Sequence, residues 1–141
     1  MSKSIFSQFG TNTDLERSGR WVEFYGDDCL YKFLLARAGG ANETYQRNLL
    51  QATKPYRKGS VDIEDLPPAT QRQIMIKVYA ETVIRDWSGI VFEDDGPEIP
   101  FSVDNAKRLL ADAPQLFDFI AAEANNFRNY MEAKRSTDAK N

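Results

Sequence analysis

Two short runs of large apolar residues stand near the front of the chain, Trp21 to Tyr25 and Cys29 to Leu35, parted by Gly26-Asp27-Asp28. Aromatic and β-branched residues on both sides of a Gly/Asp turn predict a β-hairpin, and the second run also suits the opening of a helix. Beyond the Gly39-Gly40 break, Tyr45, Leu49 and Ala52 recur at helical spacing. Asn42 is placed to cap that helix and Glu43 to meet its dipole, so a helix to about Thr53 is expected, ended by Pro55 and Gly59. The stretch "GSVDIEDLPPAT" reads as a linker, with the next helix opening near Pro68. From Ala69 to Trp87, the residues Ile76, Tyr79, Ala80, Val83 and Trp87 fall on one stripe while Arg72, Lys77, Glu81 and Arg85 keep mainly to other faces, which predicts a core helix closed by Gly89.

Ile90 to Phe92 reads as a brief extended piece and Asp95-Gly96-Pro97 as a turn. Ser102 then caps a short helix from Val103 to about Ala111. Asp112, Pro114 and Gln115 match a capping box for a last helix, whose Leu116, Ile120, Ala124, Phe127 and Met131 share one face as far as about Ala133. The expected fold is α+β and predominantly α-helical, a small N-terminal β-hairpin followed by about four helices. Residues 1–19 read as a flexible N-terminal arm, 20–133 as a single globular domain and 134–141 as a flexible C-terminal tail.

Composition narrows the chemistry. At 141 residues the chain has the length of one domain able to bury a core without disulfides or metals. Its mean hydropathy is −0.53, its net charge −3 and its isoelectric point about 5.0. No global positive field exists to collect phosphates, so nucleic acid is not expected as a partner. The densest basic run, Lys54, Arg57 and Lys58, reads as a solvated helix end. The absence of histidine removes the commonest general base and metal ligand, and with it serine-histidine and cysteine-histidine catalysis. The lone cysteine, Cys29, can form neither an internal disulfide nor a CxxC site and is expected as a small packing residue. The chain has no signal-peptide core and no run of membrane-spanning length, so a soluble cytoplasmic protein is expected.

Candidate chemical sites are few. Glu93-Asp94-Asp95 lacks the alternating ligands of a calcium loop and the pocketed carboxylate pair of a hydrolase, so it reads as a wet architectural turn between two anchors, Trp87 and Phe101. The glycines make no nucleotide loop. The last two helices form a helix-turn-helix only formally, because Asp118, Glu123 and Glu132 spoil the second for a DNA groove. With no cofactor, metal or catalytic group to assign, the aromatic residues carry the functional reading. Most belong in a core, but Phe117 and Phe119 cannot both face inward with Ile120, so one of them marks a protein-binding patch. The candidate protein-binding residues are Trp87, Phe101, Phe117, Phe119 and Phe127.

Three stretches, "YKFLLARAGGANETYQ", "ETVIRDWSGI" and "DGPEIPFSVDNAKRLLADAPQLFDFIAAEANNF", lie in an order that resembles the tail assembly chaperones of long-tailed bacteriophages. The resemblance runs from about Trp21 to Phe127. It implies a non-catalytic protein of the host cytoplasm, absent from the mature virion, that coats the tape measure protein and helps recruit the tail tube protein. It also implies a longer, frameshifted form of the chain, and leaves room for a homo-oligomer. Two other readings stand beside it: a head-tail connector or tail completion protein that stays in the particle, and a small DNA-binding regulator.

Overall fold

The structure is a computed structural model in which residues 2–57 and 62–131 are described. Two short helices, α1 (Ile5–Phe9) and α2 (Thr13–Ser18), precede a hairpin of β1 (Arg20–Gly26) and β2 (Cys29–Leu35). Then come α3 (Glu43–Thr53), α4 (Pro68–Thr82), β3 (Ile84–Ser88), α5 (Val103–Asp112) and α6 (Pro114–Ala124), with a 3-10 turn over Phe127–Tyr130. The α+β class, the hairpin and the four helices after it are as the sequence predicts.

The hairpin is part of a three-stranded antiparallel sheet in the order β1-β2-β3. Val22 pairs with Phe33 and Phe24 with Tyr31, while β3 lays Trp87 beside Phe33. Phe33, Leu35, Ile84 and Trp87 bury against Ile76, Tyr79, Ala80 and Val83 of the α4 segment, and Ala106, Leu110, Phe117 and Ile120 close the core from α5 and α6.

The third strand corrects the expectation of one helix running to Trp87. Trp87 keeps helical register with Val83, but the chain leaves the helix after Thr82, where Val83 and Ile84 are both β-branched. The carbonyls freed there find partners: the Ala36 N–H donates to Val83 O at 2.8 Å, and the Asn42 side-chain amide donates to Thr82 O at 3.0 Å and Arg37 O at 2.9 Å. Strand pairing with β2 thus replaces the missing helical bonds. Asn42 is buried, and this inward use of its amide replaces the helix cap expected of it; it makes no capping bond. At the other end of β3, Gly89 has φ +79°, and a Cβ there would stand 2.4 Å from the Leu30 carbonyl oxygen, so only glycine fits.

Further differences are local. The Asp112 capping box does not form: Asp112 is the last residue of α5, and α6 starts on Pro114 with no side-chain cap. Ser102 does cap α5, its hydroxyl accepting from Asn105 N–H at 3.0 Å. The last helix stops at Ala124 because Asn125 and Asn126 spend their side chains on local backbone, Asn125 donating to Ala121 O at 2.7 Å and Asn126 accepting from Arg128 N–H at 3.1 Å. Arg57 donates to Leu50 O at 3.1 Å at the end of α3, in keeping with a basic helix end; Lys58 lies outside the described residues. Cys29 is exposed beside the hairpin turn, not packed.

The stretch expected as a loose arm is tied down from Thr11 onward. Thr11 bridges Met131, and Glu16 is only 2% exposed. Its carboxylate accepts from the Thr11 hydroxyl and the Arg37 guanidinium, and a Cβ on Gly40 (φ +53°) would collide with it. Burial alone would raise the Glu16 pKa, but the hydrogen bonds from Arg37 and Thr11 and the Arg37 charge together hold it below the usual glutamate value. A lowered folded-state pKa contributes stability that is present above the unfolded value, about 4.3, and is lost as pH falls through the folded one. Glu16→Gln should therefore lower the urea midpoint at neutral pH and flatten its fall in acid. Urea titrations across the acid range check both. The expected tail at 134–141 lies outside the described residues.

Candidate functional site

The sheet and the α5–α6 pair share one core and leave a groove open at one side. There β1 and β2 present Phe24, Tyr31 and Phe33, the segment after β3 presents Ile90 and Val91, and the helices present Leu109, Gln115, Leu116 and Phe119. Together they line an open groove of about 380 Å³. The Phe24 ring packs 4.9 Å from that of Phe119 and 6.0 Å from that of Tyr31. Of the nine lining residues only Gln115 and Tyr31 carry side-chain polar atoms, so the groove offers area and few directional anchors.

The other face of the hairpin also exposes apolar residues. On β1, Trp21 and Tyr25 point away from the core, opposite Leu34 and Leu30 of β2, and all but Leu34 are exposed. Phe24, on the core-facing side, is still 38% exposed because β1 is an edge strand. A larger cleft of about 500 Å³ lies between α3 and α4 and is more polar: Glu81 takes Lys77 at 2.9 Å and Asn48 at 3.2 Å, and Gln51, Tyr56, Thr70 and Gln73 also line it.

The candidate aromatics divide. Trp87, at 5% exposure, and Phe117, at 9%, are core residues and cannot touch a partner in this fold. Trp87 sits edge-on to Phe33 and Phe101 and donates its indole N–H to Ile99 O at 2.8 Å. Phe117 packs 5.0 Å from Tyr79, whose phenol burial pushes up to about 12. Phe101 is partly buried and anchors the far end of the acidic turn. Phe127 stacks on Phe9 of α1 at 5.8 Å. Phe119 alone of the five lines the groove.

Sequence reasoning left Phe24, Tyr31, Leu109 and Leu116 out of the candidate set. The alternation of Val22 and Phe24 against Phe33 and Tyr31 was the available signal, but it does not tell which of the sheet's two faces is only half covered. The acidic turn is held as an architectural element. Val91 and Glu98 form a bridge, Ile99 N–H donates to Ile90 O at 2.7 Å, and the Glu98 carboxylate accepts from Gly89 N–H at 2.6 Å. Its own acids, Glu93, Asp94 and Asp95, are exposed, and Arg108 lies 4.6 Å over the neighbouring Phe92 ring.

The α+β chain thus carries an open apolar groove beside an edge strand. The family described as YdaY prophage protein matches residues 40–141, most of the chain, and the protein belongs to that family and is phage-derived. No curated protein and no solved structure matches it. The matched range holds the α5–α6 wall of the groove, whereas Phe24, Tyr31 and Phe33 lie before it.

Proposed function

We propose that this prophage protein is a tail assembly chaperone that holds the tape measure protein in the host cytoplasm, helps bring tail tube subunits to it, and leaves before the particle is finished. The observation that carries this reading is the open groove of Phe24, Tyr31, Leu116 and Phe119, with Phe24 38% exposed at its edge. Such a surface favours an apolar polypeptide over a small polar substrate. The order of motifs from Trp21 to Phe127 supports a tail chaperone among phage proteins, and many weak contacts along a long client supply persistence through avidity.

Coexpression tests it. A tape measure protein that aggregates alone should stay soluble and copurify with this chain, and mass spectrometry of purified virions should find none of it. A chain retained in virions at stoichiometric level is a connector or completion protein instead. A client that stays insoluble removes the chaperone reading.

A further inference from the structure

Two acidic turns meet the groove at one end. The β1–β2 turn carries Asp27 and Asp28 and joins Phe24 to Tyr31, both in the groove wall. Ile90 and Val91 form another part of the wall and lead directly into Glu93-Asp94-Asp95. Gly89 brings the two together, since its α-carbon sits against the backbone of Leu30 and Tyr31. The Tyr31 ring folds back over Gly26, 3.1 Å from where a Cβ would be. Its phenol is pushed up by its contact with Cys29 first, then by burial and by the carboxylates of Asp94 and Asp27, so acids from both turns reach one groove side chain.

All five acids are exposed, and among the described residues none is in an ion pair. Arg108, near the second turn, lies over the Phe92 ring and 3.8 Å from Asp112. A chain with a net charge of −3 thus gathers five carboxylates at the rim of its apolar groove. That rim also disfavours a second copy docking by the same face, because like charges would oppose each other.

We infer that the groove takes a basic amphipathic segment of the client: apolar side chains lie between Phe24 and Phe119, and lysine or arginine beside them meets Asp27, Asp28, Glu93, Asp94 and Asp95. This rests on the polypeptide-holding role above and names the chemistry of the held segment. The acids then serve in recognition as well as in shaping the turn.

The probes are two helical peptides of about five turns with the same leucine and phenylalanine face, one flanked by lysine and one by glutamate. Fluorescence anisotropy with the full chain should show the lysine peptide binding about tenfold tighter at low salt, with the difference shrinking as salt screens it. The variant Asp27→Asn, Asp28→Asn, Asp94→Asn, Asp95→Asn should lose most of that preference. Asparagine suits the positive φ of Asp28 and Asp95, so the turns stand. Equal affinities, a preference unchanged in the four-site variant, binding of neither peptide, or a self-associated chain whose dissociation opens the groove would each overturn the inference. Tape measure capture that survives the four-site change, with no basic preference, sinks this inference and leaves the chaperone reading. A basic preference in a chain that never captures the tape measure does the reverse.

Discussion

Trp87→Ala should lower stability by about 3–5 kcal/mol, the usual range for emptying a buried aromatic site, and bring the thermal midpoint down by roughly 10 °C or more. The indole fills the space between Phe33 and Phe101, and its N–H is the partner of the Ile99 carbonyl at 2.8 Å. Alanine leaves a cavity where sheet, α5 and the acidic turn converge, and strands that carbonyl. Trp87→Phe keeps much of the packing and removes the hydrogen bond, so its loss should be nearer 1–2 kcal/mol. Urea unfolding of the two variants separates the terms. A Trp87→Ala chain as stable as the parent would mean that β3 and the 90–101 segment do not pack as described.

Phe24→Ser should spare the fold and remove the function. The ring is 38% exposed on an edge strand, so its loss opens no closed cavity, and circular dichroism should be unchanged. It is nonetheless the groove's contact between Tyr31 and Phe119. Tape measure capture should fall about tenfold or more, as for a central aromatic anchor in an interface. Trp21→Ser, on the opposite face of the same strand, is the control; its larger exposed ring should matter less.

The fold was legible where local chemistry and period agreed. The Gly-Asp-Asp turn between two aromatic runs made the hairpin plain, and Ser102 marked the start of α5 through a bond that forms. Legibility failed where tertiary hydrogen bonds decided. Residues 76 to 87 satisfy a helical stripe in the sequence, yet the Ala36 N–H and the Asn42 amide, distant in the chain, take the carbonyls that end α4 and turn the next residues into a strand. α4 is also buried along Ile74 and Val78 as well as Ile76 and Ala80, so the period says little about which stripe faces the sheet.

The candidate surface was half legible. Phe117 and Phe119 stood out as a pair that could not both share the inward face with Ile120, and Phe119 is the one that lies in the groove. Phe117, the other of that pair, and Trp87, an anchor of the acidic turn, fill the core instead. Tyr130, fully buried with its hydroxyl donating to Leu35 O at 3.0 Å, gave no signal, since its contact spans most of the chain. Neither did the convergence of Asp27-Asp28 with Glu93-Asp94-Asp95, which depends on the close approach at Gly89.

The groove's role is tested most directly by hydrogen exchange of the full chain alone and with the tape measure protein. Exchange should slow along β1 and β2 near Phe24 to Phe33 and along α5–α6 near Leu109 to Phe119, with little change around the α3–α4 cleft. Protection centred on that cleft, or none at the groove while the complex is intact, would contradict that role.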